Sequence, residues 1–310
     1  MTLKRCLVLA FAMLAAHANA QEPVPVAPAV DAYPSVSPDG RRIAFHSNRD
    51  GTNQVHVVDA DGSRLRKLTN HPGGSLTPKW SPDGKTIVYT RGVNESSDIW
   101  MMDADGSHQR VLVATEGDDS HPQFMPDGAA IVFNTSRPAE DGGKGAWDDI
   151  HVIGVDGRGM RRISDCRGTC TYPSVSPDGK RIVYRRVSAT PAYDWRLRDN
   201  TSNSEIVVAA IDGSGERVLA SSPAFDGWPA WSPDGRWIAF ASNRARVPFA
   251  GQVYALRPDG SGLRQLTSGA WSHAQPAWAP DGASLYAYRF QESADAEVGG
   301  LARIAFLEAP

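Results

Sequence analysis

Short apolar runs, rich in β-branched and aromatic residues, alternate along the chain with polar turn residues. Arg42-Ile43-Ala44-Phe45 and Thr86-Ile87-Val88-Tyr89 are typical of these runs. Each is preceded by a second short segment, such as Pro78-Lys79-Trp80 or Pro229-Ala230-Trp231. Runs of this length and composition predict pairs of short antiparallel β-strands.

A Pro-Asp-Gly turn separates the two strands of each pair, and it occurs six times. The proline presets φ for the turn, and the glycine accepts the positive φ that closes the hairpin. The steps between successive prolines are 44, 44, 51, 56 and 47 residues. The six turns are Pro38–Gly40, Pro82–Gly84, Pro126–Gly128, Pro177–Gly179, Pro233–Gly235 and Pro280–Gly282.

Two further strands are predicted after each pair. Gln54–Val58 and Ile99–Met102 are examples of the third strand, and both lead into a second tight turn, Asp59–Gly62 or Asp103–Gly106. A fourth strand such as Arg66–Thr69 follows. A repeat of four strands at this period is typical of a propeller blade, which cannot bury its faces without its neighbours.

The repeats predict an all-β fold, a six-bladed β-propeller of four-stranded antiparallel blades. They indicate one domain over residues 21–310. The sixth repeat supplies only three strands before the chain ends, so we expect the segment around Pro23–Val26 to provide the fourth at the outer edge. Prolines are tolerated in such an edge strand.

The first twenty residues predict a signal peptide. Lys4 and Arg5 precede the apolar run Cys6–Ala16, and Ala18–Ala20 has the small-x-small pattern of a cleavage site. We therefore expect a periplasmic or secreted protein, cleaved near Ala20. No later segment is continuously apolar, which argues against membrane insertion.

Charge and cysteine content narrow the function classes further. The signal holds two of the 32 basic residues and none of the 35 acidic ones, so the mature chain is slightly acidic. Nucleic acid is excluded as a partner, because its phosphates require concentrated positive charge. Cys166 and Cys170 favour a local disulfide in an oxidising compartment, with a metal clip or a redox pair as alternatives.

The repeats resemble those of the TolB-type propeller family. Ile43–Gly51 and Ile238–Arg244 match its Ile-Ala-Phe-x-Ser-Asn-Arg segment nearly verbatim, and the resemblance covers nearly the whole mature chain. It implies a periplasmic propeller that docks an envelope protein, as TolB docks its peptidoglycan-associated lipoprotein. TolB itself carries an additional α/β domain before the propeller. Only about a dozen residues separate the signal from the first blade here.

Strand alternation places both kinds of tight turn on one face of the disc, and the variable loops on the other. Three of those loops are long: 136–148, 186–203 and 291–300. By equivalence of position, six residues surround the channel mouth: Tyr33, Thr77, His121, Tyr172, Trp228 and Gln275. The candidate ligand-binding residues are Tyr33, His121, Tyr172, Tyr193, Trp195, Asp226, Trp228, His273 and Gln275. Alternatively, several of these aromatics simply plug the channel.

Two classes of enzyme site lack their signature motifs in this sequence, and a third has candidate ligands. The sequence has no Gly-x-Ser-x-Gly nucleophile elbow, and its Asp-x-Asp-Gly turns lack the remaining ligands of a calcium loop. Propeller lyases acting on oligogalacturonate are similar in holding a metal with His and Gln at the axis. His121, His273 and Gln275 are thus candidate ligands for Mn or Zn in a glycan-cleaving enzyme. The primary prediction remains a non-catalytic envelope-binding protein without a cofactor.

Overall fold

The computed structural model describes residues 22–23, 29–92, 96–138, 146–187, 204–222, 225–245, 251–292 and 297–307. Within these ranges all regular secondary structure is β-strand, and no helix is long and apolar enough to cross a membrane. The strands form small antiparallel sheets in a propeller arrangement. The predicted all-β class is thereby confirmed.

Three of the sheets contain four strands consecutive in sequence. The first contains β2 (Asp31–Val36), β3 (Arg42–Ser47), β4 (Gln54–Asp59) and β5 (Arg66–Lys67). The second contains β6 (Ser75–Trp80), β7 (Thr86–Arg91), β8 (Asp98–Asp103) and β9 (Arg110–Val113). A third contains β18 (Asp226–Trp231), β19 (Ile238–Ser242), β20 (Gln252–Leu256) and β21 (Arg264–Gln265).

One sheet has eight strands, which corrects the prediction of equal four-stranded sheets throughout. Its first half contains β10 (Asp119–Phe124), β11 (Ala130–Pro138), β12 (Ala146–Gly154) and β13 (Arg161–Arg162). Its second half contains β14 (Thr169–Val175), β15 (Arg181–Val187), β16 (Glu205–Ala210) and β17 (Arg217–Ser221). The halves join through one parallel pair, Asp148 with Thr169. The disulfide between Cys166 and Cys170 lies beside this junction.

The last sheet combines both ends of the described chain. Its order is β1 (Glu22–Pro23), β24 (Glu297–Ala305), β23 (Ser284–Glu292) and β22 (Ser272–Trp278). Glu22 pairs with Arg303 and Pro23 with Ala302, in antiparallel register. The predicted return of the N-terminal segment to this edge is confirmed for these two residues, and residues 24–28 lie outside the described part of the chain.

The two kinds of tight turn lie at the same end of each sheet, as predicted. Gly40 N donates to Ser37 O at 2.8 Å, which closes the first Pro-Asp-Gly turn. Ala60, in the Asp-x-Asp-Gly turn of that repeat, donates its N–H to Arg41 O at 2.9 Å. Equivalent bonds join the turns in repeats 2, 3 and 4. One face of the propeller, called the turn face below, is therefore built from tight turns.

The outermost strand of the first repeat is shorter than the sequence predicts. The strand β5 ends at Lys67, although four residues up to Thr69 were expected. The strand ends there because a side-chain oxygen takes the place of the next backbone acceptor. Val55 N donates to Thr69 Oγ1 at 2.9 Å instead of to a backbone carbonyl. Val253 with Thr267, and Ile150 with Ser164, repeat this arrangement at 2.9 and 2.8 Å.

The core consists of six hydrophobic clusters, each between two consecutive repeats as numbered by their Pro-Asp-Gly turns. The cluster between repeats 6 and 1 contains Phe45, Ile43, Tyr286 and Leu301, all at most 5% exposed. No repeat thus buries its apolar residues by itself. The first and last repeats pack together as the internal ones do, so the ring depends on the contact between the two chain ends.

Deletion of residues 21–30 from the processed chain should lower the melting temperature by about 5 °C or more. The deletion removes β1 and the bridges of Ala29 and Val30 to Gly299, which leaves the edge of β24 unpaired. The measurement is a thermal melt followed by circular dichroism. The processed chain starting at Gln21 is the control, and an unchanged melting temperature would contradict closure by this segment.

Candidate functional site

Each innermost strand carries the same β-bulge immediately before a proline. In β2 the register shifts between Ala32 and Ser35, and the other five innermost strands shift at the equivalent place. The bulged residue has a left-handed backbone, with φ between +50° and +57°. These six bulged residues, called the bulge ring, are Tyr33, Thr77, His121, Tyr172, Trp228 and Gln275.

The bulge ring borders a central cavity of about 360 Å³. All six repeats contribute to its walls, and every bulge-ring residue lines it. The lining continues along the innermost strands to the prolines of the Pro-Asp-Gly turns, Pro38, Pro82, Pro126, Pro177, Pro233 and Pro280. The cavity therefore extends from the ring towards the turn face. Binding at the opposite, loop-rich face stays a prediction, because most residues of its three long loops lie outside the described ranges.

Three bulge-ring side chains from alternate repeats meet at one hydroxyl group. Trp228 Nε1 donates to Tyr33 Oη at 3.1 Å, and His121 Nε2 lies 3.4 Å from the same oxygen. Gln275 Oε1 accepts a hydrogen bond from Tyr33 N at 2.8 Å. Repeats 1, 3 and 5 thus touch at the centre. This supports the alternative in which aromatic side chains plug the channel, here at the inner end of the cavity.

Aromatic contacts extend this plug around the ring. The rings of His121 and Tyr172 meet edge to face with centroids 4.4 Å apart, and Tyr172 lies 5.5 Å from Trp228. Burial lowers the pKa of His121 to about 3 and raises the pKa of Tyr33 well above its ordinary value. Both side chains are therefore uncharged at neutral pH, although part of each still faces the cavity.

The hydroxyl and indole groups of the cavity wall are mostly engaged within the protein. Ser35 Oγ accepts from Trp80 N at 3.2 Å, and Ser174 Oγ accepts from Trp231 N at 3.2 Å. Trp80 Nε1 donates to Ser35 O and Trp278 Nε1 to Ala230 O, both at 3.1 Å. The wall therefore combines proline and aromatic surface with the polar side chains of Lys79, Gln123 and Gln275.

Two predicted site residues do not line the cavity. Asp226 is fully buried and pairs with Arg244 at 2.8 Å, and its other carboxylate oxygen accepts from Ser222 Oγ at 2.9 Å. Asp31 and Arg49 form the same pair in repeat 1, at 2.7 Å. Each of these aspartates begins an innermost strand, and its arginine ends the Ser-Asn-Arg segment at the end of the second strand of the same repeat. The ion pair stabilises this contact, which is a structural role for Asp226.

His273 is the second residue outside the cavity. It is fully buried, and burial together with the nearby Arg289 guanidinium lowers its pKa to about 4. Of the three candidate metal ligands, only His121 and Gln275 line the cavity. No group of three or more His, Cys, Asp or Glu side chains within the described ranges is arranged to hold a metal ion. Tyr193 and Trp195 lie outside those ranges.

Lys79 is a cavity residue that the sequence analysis did not single out. It lies two positions after Thr77, and its equivalents in the other repeats are Ser35, Gln123, Ser174, Ala230 and Ala277. Burial lowers the pKa of Lys79 to about 8. An alignment of the six repeats on their Pro-Asp-Gly turns would have shown that Lys79 is the one charged residue at this position of the repeat.

The fold and its axial cavity define a β-propeller protein. Residues 11–145 match the family model described as TolB beta propeller domain. TolB from Acinetobacter baumannii superimposes with a TM-score of 0.67 at 22% identity, covering 80% of this chain and 57% of that chain. The chain is thus similar to TolB-type propellers, in sequence over residues 11–145 and in fold over most of its length.

Two further similarities concern enzymes. An oligogalacturonate lyase in complex with manganese superimposes with a TM-score of 0.58 at 13% identity, covering 94% of this chain and 98% of that chain. Dipeptidyl-peptidase 5 from Porphyromonas gingivalis is 36% identical over 70 residues, which is 23% of this chain and 9% of the peptidase. The chain therefore spans a small part of that curated relative and just over half of TolB.

Replacing Asp226 by Asn should destabilise the fold by about 3 kcal/mol, because it leaves the Arg244 guanidinium without its counter-ion. Urea denaturation measures the change. The control is Arg64→Met, which removes an ion pair with Asp59 whose arginine is 81% exposed and should cost less than about 1 kcal/mol. An Asp226→Asn variant as stable as the control would contradict this structural role of the Asp226–Arg244 pair.

Proposed function

We propose that residues 21–310 form a single six-bladed propeller that acts as a non-catalytic binding protein of the bacterial envelope. Its ligand is a segment of a partner protein, which enters the central cavity from the turn face. The observation that carries this proposal is the cavity itself. It is walled by proline and aromatic side chains from all six repeats, and it falls within the roughly 300 to 1,000 Å³ typical of ligand sites.

Three observations support the count of six blades. There are six Pro-Asp-Gly turns, six bulge-ring residues and six hydrophobic clusters, one between each pair of consecutive repeats. The eight-stranded sheet divides naturally into two blades, because a single residue pair, Asp148 with Thr169, holds its halves together. Each half has the strand order of the separate four-stranded sheets.

The wall chemistry favours a protein segment over a sugar. A glycan needs many free hydrogen-bonding groups, whereas the serine hydroxyls of the wall hold backbone groups or turn aspartates. Proline and aromatic surfaces suit apolar side chains and are common anchors of protein interfaces. An envelope location is supported by the predicted signal over residues 1–20 and by the similarity to the TolB propeller over residues 11–145. On the same basis, the peptidoglycan-associated lipoprotein is the candidate partner.

The second candidate function is a metal-dependent glycan-cleaving enzyme, favoured by the manganese-bound lyase that shares the fold. His121 and Gln275 line the cavity and are its possible ligands. Against it, His121 Nδ1 already lies 3.0 Å from Ser120 Oγ and 3.1 Å from Asn134 Oδ1. These contacts, with that to Tyr33, occupy both ring nitrogens.

Elemental analysis distinguishes the two functions. After mild dialysis, we expect the purified protein to carry less than about 0.1 equivalent of Mn or Zn, since a site with so few free ligands binds weakly. The matched variant is His121→Ala, with His273→Ala as the control outside the cavity. Stoichiometric metal that is lost only in His121→Ala would favour the enzyme.

Filling the cavity should abolish binding. Ala230 lines it on one side, and Ala230→Phe would occupy the space intended for a ligand side chain. We expect at least a tenfold loss in capture of the envelope partner from extract, with the melting temperature within a few degrees of the original. The control is the double variant Tyr193→Ala, Trp195→Ala, in the 186–203 loop that the sequence predicts for the loop-rich face. Loss of capture in the control alone would place docking on the loop-rich face.

A further inference from the structure

The wall of the cavity is asymmetric one level beyond the bulge ring. At that level each repeat contributes one residue, and the six are Ser35, Lys79, Gln123, Ser174, Ala230 and Ala277. Lys79 and Gln123 come from repeats 2 and 3, which are neighbours in the ring. Ala230 and Ala277 come from repeats 5 and 6 on the far side. One side is therefore polar and the other is small and apolar.

Lys79 is the one charged side chain among the described residues that line the cavity, since His121 is neutral. Within the described ranges no carboxylate forms an ion pair with its ammonium group, and burial lowers its pKa. Because that pKa stays near 8, the group remains mostly cationic at neutral pH. A cation held against aromatic and proline surface without a partner is available to an anionic group of a ligand.

Gln123 supplies a second donor beside it. Its side chain is half-buried in the cavity wall and makes no hydrogen bond to the described residues. The serines at the same level differ, because Ser35 and Ser174 hold Trp80 and Trp231. The free hydrogen-bonding capacity of this level is thus concentrated on the wall formed by repeats 2 and 3.

The rim of the cavity would not exclude an anion. Six turn aspartates lie there, but Asp39 and its equivalents accept hydrogen bonds from the turn backbone, mostly with a serine as well. Six basic residues follow the turns directly and balance their charge: Arg41, Arg42, Lys85, Lys180, Arg181 and Arg236. A ligand carboxylate therefore meets a nearly neutral rim before it reaches Lys79.

We infer that Lys79 and Gln123 bind a carboxylate of the docked peptide, and that its neighbouring apolar side chain packs against Ala230 and Ala277. The inference rests on the proposed function and adds the chemistry of the ligand. The geometry requires an acidic residue next to an apolar or aromatic one. The binding mode is a charge-assisted hydrogen bond from the ammonium group and a neutral one from the amide.

The test uses two probe peptides, acetyl-Phe-Glu-amide and acetyl-Phe-Gln-amide, titrated into the full processed protein and followed through its tryptophan indole NMR signals. We expect the acidic peptide to bind about tenfold or more tightly, the usual range for a hydrogen bond to a charged group. Lys79→Met should remove this preference, whereas Lys79→Arg should keep most of it. The matched control is Lys85→Met, which removes an exposed charge at the rim and should leave the preference unchanged.

The outcomes separate the inference from the function on which it rests. Equal binding of the two peptides, or a preference that survives Lys79→Met, would overturn the inference while leaving a binding cavity in place. Loss of the preference in Lys85→Met as much as in Lys79→Met would assign it to the overall charge and would also overturn it. Absence of indole shifts with either peptide would contradict both peptide binding in the cavity and the carboxylate site.

Discussion

The bulge before each innermost proline is the constraint on which the centre of this protein depends. A left-handed backbone at a residue with a side chain costs about 1 kcal/mol or more, and Tyr33 and its five equivalents all adopt it. The proline that follows has no N–H to satisfy, so it fits a position where the ladder is interrupted. As a result of this backbone conformation, six side chains point towards one axis and line the cavity.

Closure of the ring is what holds these six positions together. Apolar residues of each repeat are covered by the next one, so a single repeat would expose its core to water. Where Phe45 of repeat 1 meets Tyr286 of repeat 6, nothing covalent joins the partners, and β1 adds the last strand from the other end of the chain. The cavity exists only while this joint is closed.

The sequence was informative wherever local chemistry determines the backbone. Pro-Asp-Gly turns revealed the repeats, and equivalence of position then identified all six bulge-ring residues. It could not reveal on which side of the ring the cavity lies, because that depends on how far Tyr33, His121 and Trp228 reach across the axis. The roles of Asp226 and His273 were likewise hidden, since a buried ion pair and a ligand site use the same residue types.

Similar repeats tend to build a symmetric cavity wall, and in this protein the wall is asymmetric because a few of its residues differ between repeats. If every repeat carried the same residue, the wall would have sixfold symmetry and could not orient an asymmetric ligand. The turns and clusters must remain alike for the ring to close, so differences are tolerated only where a side chain faces open space. Lys79 stands at such a position, across the cavity from Ala230 and Ala277. In the binding mode proposed here, the residues that depart from the repeat, rather than the repeat itself, therefore determine specificity.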